Sequence, residues 1–284
     1  MIFLTGTTGS IGGNLARILA AHGVKAKVLV RKAEDGQRFR DMGHDPVIGD
    51  LTKPDLLVAG MAGCDTLFLL PPPLVNQTAL EANALASAQR AGMTRVVKIS
   101  ASDANIASPV PWAKAHALGE LALHRSGLRW TILRSSAFFQ NFEKLDAPIR
   151  KGLLPIAAGH GNAAFIDAAD VAQVAARVLI EGSHDRATYH LTGPQALTMK
   201  EAAKALSDAR GKHVRYVDLP IPLYRASLRL VGVDRWLRNG LVAQYAAVVA
   251  KGHDVAVTQD VHRLTGCEPK PFATWAQEQR AQFL

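Results

Sequence analysis

Apolar residues in the first half of the chain alternate between two spacings. Short aliphatic runs at residues 2–5, 27–30, 46–48, 66–70, 95–99 and 130–133 read as strands. Between them the apolar positions recur at helical spacing. Ile11, Leu15, Ile18 and Leu19 stand at i, i+4, i+7 and i+8, and Gly23 closes that helix. A polar helix follows the second run, and an alanine-rich helix covers residues 74–91. Pro111 opens a further helix at its first turn, and Ser126 and Gly127 end it. Strands apolar on both faces, alternating with helices, predict a parallel sheet covered on both sides. Right-handed crossovers make that sheet doubly wound, an α/β fold of Rossmann type. Beyond residue 136 the regularity loosens. Residues 164–167 begin a strand–helix step expected to return to the sheet, 189–191 read as a strand, and 199–209 as a helix. The expectation is one folding unit over residues 1–284. Its core lies mainly in 1–135 and 161–193, and a smaller lobe mainly in 136–160 and 194–284.

The chemistry starts between the first strand and the first helix, where residues 5–13 read TGTTGSIGG. Three of these glycines fit a dinucleotide-binding turn. Gly6 serves the tight turn, Gly9 the close approach of backbone to a pyrophosphate, and Gly12 the packing of helix on strand. The helix then offers its N-terminal N–H groups, at Ser10 and Ile11, to the phosphates, and Thr8 and Ser10 add hydroxyl donors. At the end of the second strand an NAD site usually carries a carboxylate for the ribose 2′-hydroxyl. This chain has Arg31 and Lys32, and a guanidinium can hold a 2′-phosphate bidentately. The expected cofactor is therefore NADP(H). Asp50 and Leu51 after the third strand are placed at the adenine. Leu70 and Pro71 after the fourth are placed at the ribose, and Ser100 and Ser135 at the crevice beyond the fifth and sixth.

Composition narrows this little further. Hydrophobic residues make up 48% and charged residues 20%, an ordinary globular balance. The net charge is +9, but the cations are scattered, with no basic run interleaved with aromatics, so nucleic acid is not the expected partner. The two cysteines form no CxxC pair, no histidine–carboxylate spacing suggests a metal, and no GxSxG elbow occurs. The N-terminus lacks a basic n-region, and no run approaches the roughly 18 apolar residues of a membrane span. The expectation is a cytoplasmic protein with no membrane partner.

The segments TGTTGSIGG, LVRKAE, GDL, LFLLPPP, LRSSAFFQNF, FIDAADVAQVAA and VTQDVHRLTGCEPKPF together resemble the NmrA-like group of atypical short-chain dehydrogenase/reductases. The resemblance spans nearly the whole chain. It implies either an NAD(P)H-dependent reductase of the quinone, azo, triphenylmethane-dye or festuclavine type, or a regulator that binds the cofactor without turnover. Mainstream members of the superfamily use a Tyr-xxx-Lys pair on the fifth helix. Here the first tyrosine is Tyr189, and the matching positions hold Trp112 and His116.

Trp112, His116 and Gly119 share one helix face, and Glu120 is spaced to pair with His116. His116 is the best candidate acid, with Ser100, Ser102 and Trp112 near the reacting ring; the alternative is that His116 only holds the helix. A conjugated acceptor can take hydride without a dedicated acid, because charge disperses over its π system. Phe138, Phe139 and Phe142 in residues 135–142 are the expected wall for a flat aromatic substrate, or else core. Leu223, Tyr224, Trp236 and Tyr245 are further candidates from the smaller lobe. The leading expectation is an NADPH-dependent oxidoreductase acting on a quinone, azo or iminium compound. The alternative is a redox sensor with a protein partner. A sugar-nucleotide epimerase is disfavoured, because it needs the missing tyrosine.

Overall fold

In the computed structural model, which describes residues 1–252 and 256–284, the strands are β1 (Ile2–Leu4), β2 (Ala26–Val30), β3 (Asp45–Ile48), β4 (Thr66–Leu69), β5 (Arg95–Ala101), β6 (Arg129–Ser135), β7 (Leu153–Ile156), β8 (Asn162–Ala163), β9 (Ala187–Leu191), β10 (Leu197–Thr198) and β11 (Arg215–Asp218). The helices are α1 (Ser10–Ala21), α2 (Gln37–Asp41), α3 (Pro54–Met61), α4 (Gln77–Arg90), α5 (Pro111–Arg125), α6 (Asp146–Arg150), α7 (Ala168–Glu181), α8 (Met199–Arg210), α9 (Ile221–Leu230), α10 (Arg235–Ala243), α11 (Asp260–Thr265), α12 (Phe272–Glu278) and α13 (Arg280–Phe283). Seven strands form one parallel sheet in the order β3-β2-β1-β4-β5-β6-β9. This is the doubly wound α/β sheet expected from the alternation of strands and helices.

Strand alternation sorts the apolar residues onto two faces. Leu4, Val28, Val30, Val97 and Ile99 pack beneath α1 and α7, where Leu15, Leu19, Val171 and Val178 close the layer. Phe3, Leu29, Leu67, Leu69 and Val96 face α3, α4 and α5, against Leu57, Leu80, Leu85 and Leu123. A fully buried leucine or phenylalanine of this kind contributes about 1.5–3 kcal/mol. A third cluster brings together Phe139, Phe142, Phe165, Phe272, Trp275 and Phe283.

Two expectations needed correction. Residues 164–167 add no strand to the main sheet: Ile166 makes one isolated parallel bridge to Phe138, and the seventh strand is β9. Asp167 instead caps α7, its carboxylate accepting from the Ala169 N–H at 3.0 Å. Two small strand pairs, β7 with β11 in parallel and β8 with β10 antiparallel, were not expected. They are two to four residues long and β7 contains Pro155, so no alternating pattern announces them.

Candidate active site

A cleft of about 700 Å³ opens beyond the carboxyl ends of β1, β2, β3, β4 and β6. In a doubly wound sheet this is where ligands bind. Buried hydroxyls stitch its glycine loop to the neighbouring strands. Thr5 Oγ1 donates to the Phe68 carbonyl at 3.0 Å and accepts from the Leu70 N–H at 2.8 Å, while Thr7 Oγ1 donates to the Leu29 carbonyl at 2.8 Å. Gly6 has φ of +68°, and a Cβ there would come within 2.7 Å of Leu70. A Cβ at Gly12 would lie 2.4 Å from the Gly6 carbonyl oxygen, so this glycine lets the helix sit against the loop.

Gly9 differs. A Cβ there would meet only Gly6 O, at an ordinary 3.5 Å. Protein packing does not demand glycine at this position, whereas a ligand lying against the backbone does. Gly9 is the N-cap of α1, and no side chain caps the helix and no acidic residue stands in its first turn. The N–H groups and the positive end of the helix are thus left to the cleft, which Thr8, Gly9, Ser10 and Ile11 all line. The loop fits a pyrophosphate.

At the end of β2, Arg31 is exposed and lines the cleft. Asp50 lines it after β3, and its Oδ1 accepts from both the N–H (2.8 Å) and the hydroxyl (2.7 Å) of Thr52. These bonds, helped by Arg31 and Lys53, hold its carboxyl below the usual aspartate range. Oδ2 has no partner among the described residues. Leu51, Leu70 and Pro71 line the cleft, joined by Thr52, Pro72, Pro73, Leu74, Asn76 and Leu80. Lys32 does not line it, and its ammonium pairs with Glu34 at 3.1 Å.

The structure also relocates most of the candidate catalytic and substrate residues. Trp112, His116, Ser100 and Ser135 do not line the cleft. The α5 face that carries Trp112, His116 and Gly119 is a packing face. The Trp112 ring meets Trp236 edge-on at 5.9 Å and fills the space over Gly240. Glu120 pairs with Arg134, at 2.6 and 2.9 Å, rather than with His116. Ser100 donates its hydroxyl to the same Glu120 at 2.6 Å, and Ser135 donates to the Ser100 carbonyl at 3.3 Å.

His116 meets a buried ion pair that sequence reasoning missed. Lys98 on β5 and Glu81 on α4 are both 0% exposed and 2.7 Å apart. Lys98 Nζ donates to His116 Nδ1 at 3.3 Å. An ammonium can only donate, so Nδ1 accepts and the imidazole is neutral, with its proton on Nε2. Burial, then the Lys98 charge, push the His116 pKa well below its ordinary value. That environment does not suit a general acid. The signal for the pair was present: a lysine in the apolar run RVVKI requires a buried partner.

Of the three phenylalanines, Phe138 lines the cleft. Phe139 and Phe142, each 1% exposed, turn into the buried cluster of Phe272 and Trp275, with ring centroids 5.1 and 4.8 Å from Phe272. Tyr224 is likewise buried, edge-on to Tyr245. In place of these, Gln140, Asn141, Glu143, Lys144 and Ala168 face the cleft. The Gln140 amide is fixed at both ends, donating to Asp167 Oδ1 at 2.9 Å and accepting from the Ala168 N–H at 3.1 Å. None of the four tyrosines lines the cleft. No cluster among the described residues could hold a metal ion, and no described helix is long and apolar enough to cross a membrane.

Parallel sheet, glycine loop and uncapped helix define a dinucleotide-binding protein of the Rossmann class. Residues 6–181 match the family described as NAD(P)H-binding. The chain is 31% identical to an NAD(P)H azoreductase of Xenophilus azovorans, over all of this chain and 99% of the other. Among solved structures it superposes on the Citrobacter sp. triphenylmethane reductase complexed with NADP(H), with a TM-score of 0.87, 27% identity, and coverage of 99% of this chain and 100% of the other. It also superposes on the Escherichia coli NADPH-dependent quinone oxidoreductase complexed with NADPH, with a TM-score of 0.88, 26% identity, and coverage of 98% and 99%. The chain belongs to the NAD(P)H-binding family of oxidoreductases.

Proposed function

We propose that this protein uses NADPH to reduce a flat, conjugated acceptor, of the quinone, azo or cationic dye type, by direct hydride transfer without a Tyr-xxx-Lys pair. One observation carries the reading. A single cleft joins a cofactor end, made by Arg31, Asp50 and the glycine loop, to an apolar wall of Leu70, Pro71, Pro72, Pro73, Leu74, Leu80 and Phe138. Such a wall suits an aromatic ring, and the few polar groups around it suit orientation.

NADPH supplies the hydride when bound. The chain's own residues hold and align the partners: Gly6, Gly9 and the α1 N-terminus take the pyrophosphate, Arg31 the 2′-phosphate, and Asp50 the adenine. Pro72, Pro73, Leu74 and Phe138 would set the acceptor beside the bound cofactor, with Leu70 and Pro71 at the ribose, and such positioning is worth much of the barrier. The relatives named for azo, quinone and triphenylmethane reduction support this acceptor class. The two free cysteines, Cys64 and Cys267, fit a reducing cytoplasmic setting.

The test is loss of reduced-nicotinamide absorbance with a panel of quinones, azo dyes, cationic dyes, cyclic imines and simple ketones, after binding is confirmed by fluorescence. Consumption with the conjugated acceptors and none with simple ketones is expected. Tight NADPH binding with no consumption across the panel would overturn the reading in favour of a cofactor sensor.

A further inference from the structure

A neutral quinone or azo compound becomes an anion on accepting hydride, and it needs one proton to reach the hydroquinone or hydrazine. Four side chains with ionisable groups line the cleft: Arg31, Asp50, Glu143 and Lys144. The sheet order separates them into two ends. Arg31 and Asp50 stand at the tips of β2 and β3, on the adenosine side, and Glu143 and Lys144 follow β6, on the opposite side. Asp50 is engaged by Thr52, and Lys144 is a solvent-exposed ammonium.

Glu143 is different from both. It is half-buried, and its carboxyl forms no hydrogen bond or ion pair with any described residue. Its backbone is held, because the carbonyl accepts from Gln282 Nε2 at 3.3 Å and the residue opens a short 3₁₀ turn. An unpartnered, half-desolvated carboxyl is costly to keep ionised, and nothing in the packing of the lobe calls for it.

We infer that Glu143 is the catalytic acid of this cleft, giving its proton to the acceptor as hydride arrives. The assignment rests on the oxidoreductase reading above. In the step a bond forms between the hydride and the acceptor, the acceptor gains two electrons, and NADPH becomes NADP⁺. The Glu143 O–H bond breaks, its proton passes to the acceptor's developing anionic oxygen or nitrogen, and solvent reprotonates the carboxylate. Burial, and then the neighbouring Asp167, raise the Glu143 pKa, against an opposing effect of Lys144, and this favours the protonated form.

The experiment compares two acceptors in wild type and Glu143→Gln. A neutral quinone needs the proton, whereas a cationic triarylmethyl dye becomes neutral on accepting hydride and needs none. The ratio of quinone to dye turnover is expected to fall about 10²-fold in Glu143→Gln, the usual size of a general-acid contribution. Quinone turnover in wild type is expected to decline at rising pH, and that decline is expected to vanish in Glu143→Gln. Glu143→Asp should restore part of the ratio. NADPH affinity by fluorescence checks that the variant is folded. An unchanged ratio with an unchanged pH profile would overturn the inference. So would a selective loss with the dye, which would make Glu143 an anchor for cations. A wild type that binds NADPH but reduces neither acceptor would overturn the oxidoreductase reading and this inference with it, a distinct result.

Discussion

Replacing Lys98 by alanine strands a carboxylate inside the protein. Glu81 and Lys98 are both fully buried at 2.7 Å, between the inner strand β5 and α4. Gln77 Nε2 donates to Glu81 Oε1 at 3.0 Å, and His116 Nδ1 lies 3.7 Å from the same oxygen. Without the lysine, Glu81 keeps only the Gln77 amide and, at 3.7 Å, the His116 imidazole for company. Removing one partner of a buried pair costs about 3–5 kcal/mol, because the other charge is left uncompensated. That is a large share of the 5–15 kcal/mol that stabilises a typical domain. Urea unfolding followed by circular dichroism reads the loss directly. Lys98→Met keeps the aliphatic stem and should lose nearly as much. The double change Lys98→Met with Glu81→Leu should recover most of the loss. Gly119 belongs to the same account. A Cβ there would sit 1.5 Å from Glu81 Oε2, and Lys98 and Gln77 prevent that carboxylate from moving aside. A loss below about 1 kcal/mol for Lys98→Ala, the size of an exposed pair, would refute the reasoning.

Three further outcomes follow from the cleft and its surroundings. Arg31→Asp should weaken NADPH about 10²-fold, through loss of charge-assisted bonds to the 2′-phosphate, while NADH binding holds; equal loss for both by fluorescence titration would remove Arg31 from that role. Gly9→Ala should weaken NADPH at least about tenfold by filling the phosphate space, yet cost at most about 1 kcal/mol of folding stability, since its φ is −89° and its Cβ meets no protein clash. Large unfolding with no specific loss of binding would count against the cradle. Asp170, beside the Lys270 N–H at 2.8 Å, has its pKa raised to about 6, chiefly by burial. The folded state then holds a proton between about pH 4 and 6 that the unfolded chain has lost. Stability therefore falls as pH rises through that window, by about 3 kcal/mol in all. Asp170→Asn should show its largest advantage over wild type at neutral pH and almost none near pH 4, and an equal difference at both would contradict this.

The sheet and the glycine loop at the cleft were legible because their signals are local. A strand, three glycines at fixed spacing and an amphipathic helix are adjacent in sequence, and the missing carboxylate after β2 is a single position. The acceptor end was less legible. Phe138, Phe139 and Phe142 look alike in sequence, but only the tertiary packing of α12 decides that two of them enter the core beside Phe272 and Trp275. The reading of α5 went astray for a related reason. Helical spacing placed Glu120 within reach of His116, but Arg134 on β6 offers a bidentate partner that spacing along one helix does not reveal. Lys98 and Glu81, seventeen residues apart on a strand and a helix, meet only across the crossover. Glu143 and Lys144 carried no motif, and their place in the cleft comes from the turn after β6.

Direct hydride transfer within one cleft is the central claim, and isotope transfer tests it. NADPH deuterated at its transferring position is incubated with the protein and a cationic triarylmethyl dye, and the colourless product is examined by mass spectrometry and NMR. One deuterium on the methine carbon, where it does not exchange with water, is the expected result. A product that carries hydrogen from solvent at that carbon, or deuterated cofactor left unconsumed, would contradict the account.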